Sequence, residues 1–137
     1  MEIKPYLRKV NYYETDKMQV VHHSNYIRYY EEARAYFLES IGFPYQVIEE
    51  KGVMIPVLGV NSNYLKFAKY GDLLRIEMEV AFFNGVRMNV DYKIYNQDNI
   101  LINTGSTAHC FLDNNYLVIR LQTHYQDLYS ALKKFTK

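Results

Sequence analysis

Two stretches of strict apolar–polar alternation, joined by an Asn-Gly pair, constrain this sequence more than any other feature. Apolar side chains fall at every second position from Leu74 to Phe82, and residues 86–95 repeat the pattern. Successive side chains of a β-strand point to opposite faces, so each stretch predicts a strand with one buried face. Asn84-Gly85 accepts the positive φ angles of a two-residue hairpin turn. The sequence therefore predicts a β-hairpin over 73–95.

Helical spacing marks two other parts of the chain. Residues 25–41 carry apolar side chains at intervals of three and four, and Gly42 with Pro44 supplies a stop signal. Residues 44–51 are expected to add a helical turn or two. Helical spacing returns between Leu121 and Phe135. Further strands are predicted at 3–13, 53–67 and 100–112.

The predicted order of elements is strand, long helix, about four antiparallel strands and a final helix. A helix with apolar residues over much of its surface must be covered by the sheet, so the predicted class is α+β. The chain contains no internal repeat, low-complexity tract or Pro/Gly/Ser linker. One domain spanning 1–137 is therefore expected.

Composition excludes several classes of partner. The 16 Lys and Arg residues nearly balance the 15 Asp and Glu residues, so no broad field of one sign favours nucleic acid or an anionic membrane. No stretch has the roughly 18 apolar residues of a membrane span. A single cysteine, Cys110, forms no intramolecular disulfide, and the N-terminus lacks a signal peptide. A cytoplasmic protein is expected. The 15 tyrosines suggest pockets and subunit contacts.

The stretch "ETDKMQVVHHSNY" (14–26) gathers the proton-handling groups. Asp16 follows a predicted strand, and His23 precedes the long helix. The loop between them is apolar at Met18, Val20 and Val21, so it should pack inward and exclude part of the water around it. A carboxylate in that setting can act as a nucleophile or as a general base toward water. The first helical N–H groups, around Asn25 and Tyr26, lie at the positive end of the helix dipole and can stabilise an oxyanion.

A purely structural interpretation of the same stretch is also open, and spacing alone favours it. An Asp before a helix commonly caps it or shapes a turn, and Ser24 or Asn25 can cap this helix. His22 and His23 are adjacent, so they cannot both face one point on a regular element. A metal site needs three or four convergent ligands, and no such spacing occurs around them. Metal binding is therefore not expected.

Other titratable residues have ordinary interpretations. Glu31 lies about 12 Å along the helix from His23, too far to act on the same carbonyl. Glu31 and Glu32, with the neighbouring helix charges Arg28, Arg34 and Glu39, predict an ion-paired helix surface. Cys110 is expected to be a small buried thiol, and His109 beside it points to the opposite strand face.

The stretch "YYETDKMQVVHHSNYIRYYEEAR" resembles the signature of the 4-hydroxybenzoyl-CoA thioesterase-like family of hotdog-fold acyl-CoA thioesterases. That signature runs Tyr-x-x-Thr-Asp-x-x-Gly-Val-Val-x-His-x-x-Tyr and continues into a helix with Phe/Tyr-Glu-x-Ala-Arg. Later, "YLKFAKYGDLLRIE" is similar to the family's Tyr-x-x-Pro-Ala-x-Tyr-x-Asp, and "GSTAHCFLD" to its last core strand. The signature positions matched are Tyr12, Thr15, Asp16, Val20, Val21, His23, Tyr26, Tyr30, Glu31, Ala33 and Arg34.

This resemblance implies a hotdog fold, in which an antiparallel sheet of about five strands wraps around one long central helix, with a C-terminal helix. It also implies roles in the site. Asp16 would attack the thioester carbonyl or activate water. The backbone amide of His23 would polarise that carbonyl, and its side chain could orient the site. Tyr12 would shape the pocket or hold Asp16. The products would be a carboxylic acid and free CoA, formed without a metal or a redox cofactor.

In this family the pocket lies between two subunits, so a homodimer or a dimer of dimers (a homotetramer) is expected. The partner's 53–67 strand would then line the pocket. The substrate-binding residues expected from that strand are Val60, Asn61, Asn63, Tyr64 and Lys66. The basic side chains that could hold CoA phosphates, or an acyl carrier protein, are Lys66, Lys69, Arg28 and Arg87.

The sequence departs from the family signature at a few places. Gln19 stands where the family commonly has Gly, and a positive φ there would cost about 1 kcal/mol or more. Phe67 replaces a frequent Pro. Neither change removes a proposed catalytic group.

Three alternatives to acyl-CoA hydrolysis carry different expectations. An acyl carrier protein thioesterase would share the chemistry and differ in its donor. A non-catalytic acyl-CoA-binding sensor would need an attached regulatory segment. A hotdog hydratase would need an Asp–His dyad on another motif. The sequence leaves the acyl chain undecided.

Overall fold

The computed structural model describes residues 2–137. Its centre is one antiparallel sheet of five strands in the order β1-β3-β4-β5-β2. The strands are β1 (Tyr6–Lys9), β2 (Val57–Tyr64), β3 (Leu73–Phe83), β4 (Arg87–Tyr95) and β5 (Leu101–Cys110). The helices are α1 (Ser24–Ser40), α2 (Tyr45–Glu50), α3 (Leu121–His124) and α4 (Gln126–Lys134).

This architecture confirms the predicted α+β class and the long helix, and it corrects several boundaries. The first strand covers only 6–9 of the predicted 3–13, because the chain turns into a short 3₁₀ helix at Tyr12–Glu14. The second covers 57–64 of the predicted 53–67. The C-terminal helix is broken at Tyr125, whose φ of −133° and ψ of 51° are not helical.

The hairpin between β3 and β4 forms as predicted, with its turn one residue later. Only Gly85 has a positive φ (89°) in this turn, so the two central residues are Gly85 and Val86. The Asn84 side chain accepts the N–H groups of Val86 and Arg87 at 2.9 and 2.8 Å. The Gly85 carbonyl accepts the N–H of Leu121 at 2.9 Å, so the turn also holds α3.

A β-bulge interrupts the alternation of β3. The register with β4 shifts between Val80 and Phe82, so that Ala81 is the extra residue. Phe82, which alternation predicts on the buried face, is 46% exposed, whereas Phe83 is 2% exposed. A single inserted residue is enough to exchange the two faces.

The sheet covers one face of α1. The buried side of the helix runs from Asn25 to Leu38 and packs on the buried faces of the strands. Its aromatic contacts include the Tyr30 and Tyr92 rings, stacked at 4.3 Å, and Phe37 against Phe135 at 5.3 Å. The buried residues of α1 are Asn25, Tyr26, Tyr29, Tyr30, Ala33, Arg34, Phe37 and Leu38.

Tyr30 crosses from the helix to the sheet because Gly105 has no side chain. A Cβ at Gly105 would lie 2.2 Å from the Tyr30 hydroxyl oxygen. The hydroxyl donates to the side chain of Asn103 and lies 2.9 Å from the Ser62 hydroxyl. This glycine therefore sets how closely α1 approaches β5.

The predicted ion-paired surface on α1 is wrong. Glu32 accepts hydrogen bonds from Arg8 and Tyr6 on β1, at 2.9 and 3.1 Å, rather than from its own helix. Arg34 is buried instead of exposed. In residues 2–137 no ion pair joins two side chains of α1.

Buried Arg34 begins a chain of hydrogen bonds that runs through the core. It donates to the Tyr92 hydroxyl (3.0 Å), which lies 2.7 Å from Thr107 Oγ1, and Thr107 lies 2.8 Å from His109 Nε2. His109 Nδ1 donates to the Pro56 carbonyl (3.1 Å), because a carbonyl only accepts. Arg34 therefore donates to Tyr92, Tyr92 to Thr107, Thr107 to His109 Nε2 and His109 Nδ1 to Pro56. In this arrangement His109 is neutral, with its proton on Nδ1.

We expect this chain to make stability depend on pH. Burial, and secondarily the charge of Arg34, lowers the pKa of His109 to about 4. In the unfolded chain His109 is protonated below about pH 6.5, whereas in the folded chain it stays unprotonated down to about pH 4. The free energy of unfolding therefore falls as pH drops from about 6.5 to 4. Chemical denaturation measures the free energy of unfolding at about pH 7 and pH 4.5. The decrease between the two should be about 2 kcal/mol smaller in His109→Gln than in the parent. His124 is exposed, so His124→Gln serves as the control and should show the parental decrease in unfolding free energy. Equal decreases in all three proteins would contradict the prediction.

Candidate active site

Asp16 heads a tight turn that reverses the chain between Thr15 and Val21. Its N–H donates to the Val20 carbonyl, and its carbonyl accepts the Gln19 N–H, both at 2.9 Å. Its Oδ1 accepts the Met18 N–H at 2.8 Å. This is a type I turn followed by a left-handed residue, with the Asp side chain holding the turn.

Two other turns have the same construction, headed by Asn96 and Asp113. In each, the head residue's Oδ1 accepts two N–H groups, from the second and the fourth residue after it, at 2.8 to 3.1 Å. Asp16 accepts only the first of these. Within residues 2–137, its Oδ2 and the Val20 N–H have no hydrogen-bond partner. Asp16 thus keeps Oδ2 free at a position fixed by its own turn, as Asp113 does, and differs from it in lacking the second hydrogen bond to Oδ1.

Gln19 occupies the left-handed position of this turn, with φ of 65°. The corresponding residues of the other two turns, Asn99 and Tyr116, have φ of 60° and 63°. Side chains with a Cβ are strained in this region, which explains the glycine of the family signature. The loop therefore keeps the geometry of the signature despite the substitution.

The start of α1 leaves one backbone donor free. The Ser24 N–H donates to His22 Nδ1 (3.2 Å), and the Asn25 N–H donates to the His22 carbonyl (2.9 Å). The His23 N–H has no acceptor in the described part of the chain. The Asn25 side chain instead donates to the Glu14 carbonyl (2.9 Å), so neither Ser24 nor Asn25 caps the helix with its side chain.

Glu14 fixes the loop before the helix, and the sequence patterns did not identify it. Its buried carboxylate accepts hydrogen bonds from Arg8, from the Asn11 N–H at 2.8 Å and from the Tyr29 hydroxyl at 3.1 Å. Burial, together with the charge of Glu14, raises the pKa of Tyr29. The Arg8 side chain lies over the Tyr29 ring at 4.5 Å. A buried carboxylate must be paired, and this network pairs it.

The aromatic residues around the helix start separate into two groups. His23 and Tyr26 both contact Tyr64. Their ring centroids lie 6.2 Å (His23) and 5.5 Å (Tyr26) from the centroid of the Tyr64 ring. Tyr26 is buried, which raises its pKa. Tyr12 is 75% exposed, packs edge-on against Tyr70 at 5.6 Å, and makes no hydrogen bond to Asp16 in residues 2–137.

The predicted substrate-binding residues of β2 lie on an edge of the sheet. Val60, Asn61 and Asn63 are on the strand that pairs with β5 on one side only. The Asn63 side chain donates to Asn61 Oδ1 and to Thr104 Oγ1, both at 3.2 Å. Their other side is open to a partner strand.

The predicted phosphate-binding side chains lie in two places. Lys69 forms a β-bridge with Val20, next to the turn of Asp16, and Arg28 lies on the first turns of α1. Lys66 follows the end of β2. Arg87 begins β4 and pairs with the far end of β5, about 20 Å along the sheet from the others. One protomer brings Lys66, Lys69 and Arg28 to the helix start and keeps Arg87 away from it.

Residues 2–137 contain neither a metal-binding cluster nor a membrane-spanning helix. The His, Cys, Asp and Glu side chains form no group of three that could hold a metal ion. None of the helices combines the length and the apolar character needed to cross a membrane.

Comparison with known proteins gives consistent matches over nearly the whole chain. Residues 10–124 match the family model described as the thioesterase-like superfamily. The chain is 31% identical, over 94% of both lengths, to a Bacillus subtilis (strain 168) protein provisionally named acyl-CoA thioesterase YneP. It is 30% identical to the acyl-CoA thioester hydrolase YbgC of Escherichia coli O157:H7, over 69% of this chain and 71% of that one. A DHNA-CoA thioesterase structure from Staphylococcus aureus superposes with a TM-score of 0.91, at 31% identity, over 96% of this chain and 89% of that one.

We expect Gln19→Gly to stabilise the protein, because glycine adopts φ of 65° without strain. The free energy of unfolding should increase by about 1 kcal/mol, which is measured as a higher thermal unfolding midpoint. Asn99→Gly is the matched control at the same position of a sister turn, and it should gain only a few tenths of a kcal/mol, since Asn tolerates this region. Equal gains, or a lower midpoint for Gln19→Gly, would show that Gln19 is not strained.

Proposed function

The chain belongs to the thioesterase-like superfamily and is a hotdog-fold thioester hydrolase, and we propose that its substrate is an acyl-CoA, cleaved to a carboxylic acid and free CoA with Asp16 as the reactive carboxylate. The observation that carries this proposal is the free Oδ2 of Asp16 in a turn that matches the family signature. Asp113 also has a free Oδ2 in residues 2–137, so Asp16 is distinguished by the match of its turn to the family signature and by the missing second hydrogen bond to its Oδ1.

Two steps are open to the Asp16 carboxylate. As a nucleophile, its Oδ2 would attack the thioester carbonyl, expel CoA thiolate and form a mixed anhydride, which water then hydrolyses. As a general base, it would take a proton from water while the water oxygen attacks the same carbonyl. Both steps place negative charge on the carbonyl oxygen of the thioester.

The unpaired His23 N–H would stabilise that charge. It lies at the start of α1, where the helix dipole is positive and backbone donors are held rigidly. Removing one such donor typically costs about 100-fold or more in rate. The His23 ring, which contacts Tyr64 of β2, would orient the acyl end of the substrate.

The basic residues near the helix start support CoA as the leaving group. Arg28 is on α1, and Lys66 and Lys69 are on the segment between β2 and β3, where Lys69 forms a β-bridge with Val20 of the Asp16 turn. None of the three takes part in an ion pair in residues 2–137. Phosphates of CoA would supply the missing anions. Arg87 could join them only from another protomer.

A second copy of the chain would complete the pocket. β2 is eight residues long and exposes apolar side chains along an unpaired edge, which favours pairing with an identical strand. Pairing of two β2 strands would bring the partner's Val60, Asn61 and Asn63 toward the helix start. We therefore propose a homodimer, which can assemble further into a dimer of dimers.

The test of Asp16 is its replacement by Asn. Asn keeps the Oδ1 acceptor that the turn needs and loses the charge and the basicity, so Asp16→Asn should fold normally and lose at least about 100-fold in kcat. The assay follows thiol release from a panel of acyl-CoAs, from acetyl through palmitoyl plus an aromatic acyl group. Asp113→Asn, the same change in a sister turn, should retain parental rates. Equal turnover by Asp16→Asn and the parent would reject the assignment.

The test of the dimer uses the two edges of the sheet. Leu58→Glu on β2 would place like charges across the proposed interface and should convert the protein to a monomer, measured by light scattering after size exclusion. Leu7→Glu is the control, because Leu7 is at least as exposed as Leu58 (59% against 49%) and lies on the other edge, β1. A monomeric parent, or an oligomeric Leu58→Glu protein, would contradict β2 pairing.

A further inference from the structure

His22 has an unusual arrangement for a residue that the family signature leaves variable. Its N–H donates to the Glu14 carbonyl, and its own carbonyl accepts the Asn25 N–H, both at 2.9 Å. Its ring stacks on the His23 ring, with centroids 4.2 Å apart and planes 30° apart. The backbone and the side chain of His22 are thus all engaged at the start of α1.

The His22 side chain serves as the N-cap of α1. His23 already has helical φ and ψ of −55° and −28°, so His22 is the last residue before the helix. The Ser24 N–H donates to His22 Nδ1 at 3.2 Å, and the Ser24 hydroxyl lies 2.9 Å from the same nitrogen. A cap side chain normally accepts the second or third helical N–H, and Ser24 is the second.

This form of capping leaves the first helical N–H free. The His22 imidazole accepts from Ser24 and its carbonyl accepts from Asn25, while the His23 N–H between them has no acceptor in residues 2–137. Accepting an N–H requires a lone pair on Nδ1, so this hydrogen bond fits the tautomer with its proton on Nε2. The cap therefore fixes the helix start without covering the donor at His23.

We propose that His22 is a positioning residue: its Nδ1 caps α1 so that the His23 N–H is held toward the thioester carbonyl. This inference rests on the proposed function and adds to it a residue that does not touch the substrate. Stacking on His23 is the secondary contribution, because it restrains the His23 ring as well as its amide.

Two substitutions separate the cap from the stacking. His22→Asn keeps an acceptor, since Asn Oδ1 takes the place of Nδ1, and removes the ring. His22→Phe keeps a ring that can stack and removes the acceptor. Loss of an N-cap weakens a helix start by about 1 kcal/mol, which corresponds to about a fivefold change in the equilibrium constant between the capped and uncapped geometries.

We expect His22→Phe to lower kcat about fivefold or more with KM within about twofold of the parent, because the His23 donor acts on the transition state. His22→Asn should restore most of kcat. The exposed His124→Phe is the control for loss of a histidine and should match the parent. Hydrogen exchange of the Ser24 amide should accelerate in His22→Phe and remain slow in His22→Asn.

The outcomes are distinct. Parental kcat in a folded His22→Phe protein, or an equal loss in both His22 variants, would overturn the capping role, because the second result assigns the effect to the ring. If the parent hydrolyses no acyl-CoA, the proposed function fails. Ser24 amide exchange then still decides whether His22 caps the helix.

Discussion

The burial of α1 against the sheet is the contact on which the rest of the structure depends. It covers the helix from Asn25 to Leu38, and it takes polar groups into the core along with apolar ones. Each of these must find a partner inside the protein, since an unpaired buried polar group costs about 1–3 kcal/mol. Tyr30 finds Asn103 and Ser62, and Arg34 finds Tyr92. The packing of the helix therefore dictates polar positions on β4 and β5.

The same burial fixes where the helix begins, and Glu14 holds the preceding loop to that point. Its carbonyl accepts from His22 and Asn25, while its carboxylate accepts from Arg8 and Tyr29. Because these donors come from β1 and α1, the loop carrying Asp16 is attached to both. The catalytic role that we propose for Asp16 would need such support, since small displacements of catalytic groups lower rates substantially.

Local geometry alone does not distinguish a site from a turn in this protein. Asp16, Asn96 and Asp113 head turns of one type, each with a strained or tolerant residue in the left-handed position. What differs is a single hydrogen bond to Oδ1, since Oδ2 has no partner in residues 2–137 at either Asp16 or Asp113. Only the match to the family signature favours a functional role for one of these turns over the others.

The sequence by itself determined the elements whose signals are local. Alternation gave the β3–β4 hairpin, and three- and four-residue spacing gave α1, because both depend on neighbours within a few residues. The signature pointed to Asp16 and to a positive φ at Gln19. Tertiary structure alone decided the bulge at Ala81 and the burial of Arg34. Each of these depends on groups from distant segments, whose positions no local pattern records. The charges of α1 resemble a solvated surface in the sequence, but Glu32 pairs with β1 and Arg34 is buried in the core.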